Sequence, residues 1–81
     1  MSRETADRLL NRLRVARAEC DLSQSELARS AGVSRQTISS IETGQYCPST
    51  ALSLRLARIL GSRFEDLFWL EGVNDEEPSR S

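Results

Sequence analysis

An all-α fold, a bundle of five short helices, is what this sequence predicts, and three observations carry the prediction. Apolar residues recur at three- and four-residue spacing in segment after segment, and no run alternates with period two for long enough to argue for a sheet. Serines 23, 34 and 49 stand at the starts of three of these segments, where a side-chain oxygen can accept from a backbone N–H that the helix leaves unsatisfied. Glycines 32, 44 and 61 stand at their ends, where a residue in the left-handed conformation closes a helix tightly.

The first helix is expected over residues 4–20, with Leu10, Leu13, Ala16, Arg17 and Cys20 on one buried stripe. The second is expected over residues 24–30: Ser23 is its cap, Glu26 completes a capping box, and Leu27, Ala28 and Ala31 face inward. After Gly32 and Val33, Ser34 caps a third helix over residues 35–43, closed by Gly44. Two short helices joined by three residues that include glycine are the mark of a helix-turn-helix. Ala28 suits it, because crossing helices need a small side chain where their backbones approach. Pro48 cannot continue a helix, so residues 45–48 form a turn. Ser49 then caps a fourth helix, with Leu52, Leu56, Ala57 and Leu60 on its apolar face and Leu54 and Ile59 nearby. A fifth, over residues 64–70, contributes Phe64, Leu67 and Phe68 to the core. Residues 1–73 make the domain, and the polar, acidic residues 74–81 read as a disordered tail.

A chain of 81 residues holds one domain with a small core, which favours a second subunit or a parent protein. No stretch reaches the roughly 20 apolar residues of a membrane span. The first residues lack the apolar core of a secretion signal. Two cysteines, Cys20 and Cys47, make neither a disulfide framework nor a zinc site. A reducing, cytoplasmic setting with no metal and no cofactor is therefore expected. A haem-responsive role for Cys47-Pro48 and a redox pairing of the two thiols rank below the plain reading of two half-buried thiols. No effector pocket is expected. An enzyme is disfavoured: there is no histidine and no phosphate-binding loop, and the carboxylates of residues 75–77 lie in the tail. The net charge of −1 hides an asymmetry. Residues 1–63 hold ten arginines against six acids, net +4, and residues 64–81 hold Arg80 against six acids, net −5. A basic body suits an anionic partner.

The stretch "VSRQTISSIETG", residues 33–44, carries the functional argument. On a helix, Ile38 and Ile41 point inward, while Gln36, Ser40 and Thr43 line the opposite face at i, i+4 and i+7, with Arg35 at the front edge. A helix enters the major groove only if its contact face is slim and carries donors and acceptors. Arginine can chelate guanine O6 and N7, glutamine can pair with adenine N6 and N7, and short hydroxyls let the helix sit deep. Recognition helices read with their N-terminal residues, where Arg35 and Gln36 lie.

The run "LSQSELARSAGVSRQTISSIETGQYCPS" resembles the Cro/repressor-type helix-turn-helix proteins, also called the XRE family, over residues 12–70. The resemblance implies a lambda repressor-like five-helix domain that binds double-stranded operator DNA, usually as a two-fold homodimer on a pseudo-palindrome. It implies phosphate contacts from Ser23 and Gln24, base reading by Arg35, Gln36 and Ser40, and DNA-backbone contacts from Thr43 and Gln45. Gln24 also fits on physical grounds, since helix N-termini attract phosphate. Arg17 and Glu42 both face inward by phase; matching pairs in the family form a partly buried ion pair, and a phosphate contact from Arg17 is the alternative. Trp69 and Leu70, close to the core-facing Phe64, Leu67 and Phe68, are expected to form a dimer contact. The sequence departs from the family at the fifth helix, where Arg63 stands at the usual position of a Ser or Asp cap; Ser62 is the candidate cap instead. Two rival functions remain: an antitoxin-type module that binds protein as well as DNA, and the DNA-binding end of a longer, ligand-responsive regulator.

Overall fold

The computed structural model describes residues 8–72. The start of the expected first helix and the acidic tail, with the domain boundary at residue 73, lie outside the described residues. The elements run β1 (Leu9–Asn11), α1 (Leu13–Glu19), α2 (Gln24–Ala31), α3 (Arg35–Glu42), α4 (Thr50–Leu60), α5 (Phe64–Leu67) and β2 (Phe68–Leu70).

The five helices are present among the described residues, but the all-α expectation needs correction. β1 and β2 pair antiparallel, with Leu9 opposite Leu70, Leu10 opposite Trp69 and Asn11 opposite Phe68. The first helix begins at Leu13, and the fifth ends at Leu67. Both expected helices are shortened for one reason: the flanking residues pair with each other across the whole chain. The ladder is extended at its two ends by Arg12 N–H to Leu67 O, 3.1 Å, and Glu71 N–H to Arg8 O, 2.8 Å.

The middle of the chain follows its local signals. The Ser23 hydroxyl accepts from Glu26 N–H at 3.0 Å, and Ser23 N–H donates to the Glu26 carboxylate at 2.8 Å, closing the capping box. The bond from Ser23 N–H, helped by the Ser23 hydroxyl beside the carboxylate, holds the Glu26 carboxyl below its usual value. Ser34 and Ser49 accept from Thr37 N–H and Leu52 N–H in the same way. Gly32 ends α2 at φ 76°, a backbone angle that glycine adopts without cost. Ser62 is not a cap: Arg63 holds that position without a side-chain capping bond, and Glu65 and Asp66 in the first turn supply negative charge to the helix N-terminus instead.

The core joins all five helices. Leu13, Leu27, Ile38, Ile41, Leu56 and Leu67 are fully buried. Ala28 is buried on α2. Three expected core residues sit elsewhere. Leu10 is half-buried in β1 and Cys20 is exposed in the turn after α1. Phe64 is 38% exposed and rests against Phe68, with ring centroids 5.8 Å apart. Leu54 also faces out, from α4.

Two polar side chains, not singled out from the sequence, fasten the frame. Asn11 donates to Ile41 O at the end of α3, 3.0 Å, and accepts from Leu13 N–H at the start of α1, 2.9 Å. Arg55 on α4 donates to Ala31 O at the end of α2, 2.9 Å, placing a cation where the helix dipole is negative. These bonds seat α2 and α3 against the rest of the molecule.

Candidate nucleic-acid interface

The expected face of α3 is present. Ile38 and Ile41 are buried beneath it, and Arg35 and Gln36 are exposed on its first turn. Ser40 is half-buried, and Gln36 Nε2 donates to its hydroxyl at 3.2 Å. That bond lays the glutamine along the helix one turn above the serine. Thr43 is exposed at the C-cap and turns its hydroxyl back onto the carbonyls of Ser39 and Ser40. Gln45 is exposed in the next turn, its backbone N–H bound to Ser40 O at 2.9 Å. Ser23 is exposed at the N-terminus of α2. The helix-turn-helix thus brings Arg35, Gln36 and Ser40 together on α3, with Thr43 and Gln45 beyond its far end and Ser23 on the neighbouring helix.

Arg17 and Glu42 meet as expected. Arg17 Nε lies 2.7 Å from Glu42 Oε2, and Arg17 Nη2 lies 3.3 Å from Oε1. The Glu42 side chain is 3% exposed and that of Arg17 is 16% exposed. The remaining Arg17 nitrogen donates to Leu22 O at 2.9 Å. The guanidinium therefore satisfies the glutamate and the turn before α2 together.

Gln24 extends this cluster. Its Nε2 donates to Glu42 Oε1 at 3.0 Å, and its Oε1 accepts from Arg35 Nη1 at 2.9 Å. Arg17, Glu42, Gln24 and Arg35 form one continuous chain of hydrogen bonds, from the interior to the front edge of α3. The only sequence signal for it was positional: Gln24 opens α2, and the crossing brings that first turn beside α3.

Trp69 and Leu70 are 43% and 41% exposed. Because they lie on β2 and not on a helix, they point to opposite faces of the ribbon. Trp69 is opposite Leu10 in the register. Leu70 lines a groove of about 360 Å³ with Arg8, Leu9, Ile41, Tyr46 and Cys47, among others. The ribbon and the turn after α3 build this groove between them. The two thiols, expected to be half-buried, are both exposed. Among the described residues no three metal-ligating side chains cluster, and no helix is long and apolar enough to cross a membrane.

A helix-turn-helix family model matches residues 13–67. An uncharacterized HTH-type transcriptional regulator of Bacillus subtilis, YgzD, is 41% identical over 64 residues, covering 79% of this chain and 97% of that protein. A second uncharacterized HTH-type transcriptional regulator, MJ0272 of Methanocaldococcus jannaschii, is 46% identical over 61 residues, 75% of this chain and 92% of its own length. Among solved structures, the restriction-modification controller protein C.AhdI of Aeromonas hydrophila superposes with a TM-score of 0.64. It is 34% identical, and the match spans 68% of this chain and 80% of that one.

Proposed function

Because the chain belongs to the XRE-type helix-turn-helix family of transcriptional regulators, we propose that it binds double-stranded DNA and reads base edges in the major groove with α3. The observation that carries this reading is the pairing of a buried apolar face, Ile38 and Ile41, with an exposed Arg35 and Gln36 on the first turn of the same helix. Arg35 and Gln36 make the bidentate base contacts, and Ser40 completes the reading face one turn later. Ser23 on α2 and Thr43 and Gln45 beyond α3 hold phosphates on either side and set the register of the helix in the groove.

The protein acts in the cytoplasm as a repressor and a two-fold homodimer, with the apolar surfaces of Trp69 and Leu70 contributing to the contact. Two copies of α3 would then lie about 34–36 Å apart, one turn of the duplex, and the operator would be a pseudo-palindrome with half-sites at that spacing.

Selection of bound sequences from a random duplex pool tests the proposal, followed by titration of the selected site at several salt concentrations. Affinity should fall linearly with salt on logarithmic axes. Arg35→Ala or Gln36→Ala should each weaken the selected site by about 1–3 kcal/mol and relax preference at one or two base pairs. If both variants keep full preference, α3 is not the reading helix.

A further inference from the structure

Among the described residues, Asn11 is the one member of the ribbon that reaches α3 by a hydrogen bond. Its Nδ2 donates to Ile41 O in the last turn of α3 at 3.0 Å, and its Oδ1 accepts from Leu13 N–H at 2.9 Å. The neighbours dictate this orientation, because a carbonyl only accepts and a backbone N–H only donates. The main chain of Asn11 is held as well. It lies opposite Phe68, between the Leu10–Trp69 pair and the bond from Arg12 N–H to Leu67 O. Leu9 and Phe68 add apolar packing against the core, which is non-directional. The Asn11 amide supplies the directed link between the strand pair and α3. It lies outside residues 13–67, which the family model matches.

We infer that Asn11 is a positioning residue: by tying Ile41 O to the ribbon that carries Trp69 and Leu70, it fixes α3 relative to the dimer contact and so sets the half-site spacing that the protein accepts. The inference rests on the proposed reading of DNA by α3 and on the proposed homodimer, and deepens both. One extra base pair between the half-sites moves them apart by about 3.4 Å and turns one against the other by about 35°. Shared equally, each protomer must shift its α3 by about 1.7 Å and turn it by about 17° relative to the dimer contact. A bond of 3.0 Å lengthened by that much is no longer a hydrogen bond. While the Asn11 bond holds, a misspaced operator must itself be twisted and stretched, which DNA resists.

The test compares Asn11→Asp with the parent on a half-site and on selected operators whose spacing is varied by one base pair either way, with thermal melts of each protein. Aspartate keeps the acceptor for Leu13 N–H and sets an oxygen in place of the NH₂ that meets Ile41 O, so it cuts the link to α3 alone. The parent should prefer the selected spacing by at least about tenfold. In Asn11→Asp that preference should shrink to about threefold or less, while half-site affinity and base preference stay within about twofold of the parent. Asn11→Ser, whose hydroxyl can serve Leu13 N–H but is too short for Ile41 O, should behave alike without the added charge. Ser53→Ala removes a buried hydrogen bond within α4 and should keep the parent's spacing preference even where it lowers Tm. An unchanged spacing preference in both Asn11 variants would overturn the inference and leave Asn11 a structural residue. Loss of half-site base preference with spacing preference intact would also overturn it, since Asn11 would then act on the reading face itself. A parent with base preference on a half-site and none for spacing overturns the homodimer and this inference but not the reading by α3; absence of any base preference overturns all three.

Discussion

Removing the Glu42 carboxylate is the sharpest perturbation of this molecule. In the native state it accepts three hydrogen bonds, two from Arg17 and one from Gln24, at 2.7, 3.3 and 3.0 Å. Its side chain is 3% exposed, so almost no water can replace them. Glu42→Ala leaves a guanidinium with one remaining partner, Leu22 O, and a 16% opening to solvent. Stranding a buried charge costs about 3–5 kcal/mol. The residual bond and the partial access of water place this case near the lower end, about 3 kcal/mol. In a domain of this size that corresponds to a fall of roughly 12–24 °C in Tm. Glu42→Gln keeps an acceptor for Arg17 and should lose less. Thermal melts of Arg17→Ala, Glu42→Ala and the double variant are the assay, and the double should lose at least about 1 kcal/mol less than the sum of the singles. Replacing both partners by apolar residues, Arg17→Met with Glu42→Leu, should come out near neutral. Additive single losses, or a Glu42→Ala loss below about 1 kcal/mol, would refute the claim that burial makes this pair consequential.

Three other outcomes are expected. Trp69→Ser, on the exposed face of the ribbon, should keep helicity and weaken cooperative binding to a full operator more than binding to a half-site; equal weakening would remove Trp69 from the dimer contact. Asp21 holds φ 57° in the turn after α1, a conformation that aspartate tolerates and β-branched residues do not. Asp21→Val should therefore lower stability by about 1–2 kcal/mol in a denaturant titration, and Asp21→Gly should stay within about 1 kcal/mol of the parent. Finally, hydrogen bonds from Ser23 and from Arg63 hold the carboxyls of Glu26 and Glu65 below their ordinary value of 4.5. A depressed folded pKa stabilises the fold above the unfolded value, and that contribution is lost as pH falls through the folded one. Melts stepped downward from pH 4.5 should thus show falling stability, less steeply in Glu26→Gln; an unchanged acid slope in that variant would contradict the capping-box origin of the effect.

Residues 23–61 were legible because their signals are local. A serine that accepts from the N–H three residues on needs nothing from the rest of the chain, and the same holds for Gly32 closing a helix. The ends were not legible. Leu9, Leu10, Leu13 and Ala16 fit a helical stripe as well as a strand followed by a helix, and Phe64, Leu67 and Phe68 fit one helix face. What decides between them is pairing between residues some sixty positions apart, and three-residue strands are too short to display a period of two. The interface divides in the same way. Arg17, Glu42 and the face of α3 followed from helical phase. The inward commitment of Gln24 depends on where two helices cross, and the groove beside Tyr46 depends on where a turn meets the ribbon.

The β1–β2 ladder also has a mechanical meaning. Leu9 pairs with Leu70, and Glu71 N–H binds Arg8 O just beyond. The chain therefore enters and leaves the described domain at the same end of the ribbon. Tension applied through Arg8 and Glu71 loads the first rung alone, then the next, as a zipper opens, and does not load all rungs together as in shear. Such a ribbon yields at low force while α2, α3 and α4 stay packed. Peeling it draws Phe68 out of the core and pulls Asn11 away from the end of α3. The seat of the reading helix is thus coupled to whatever pulls on the two ends of the domain.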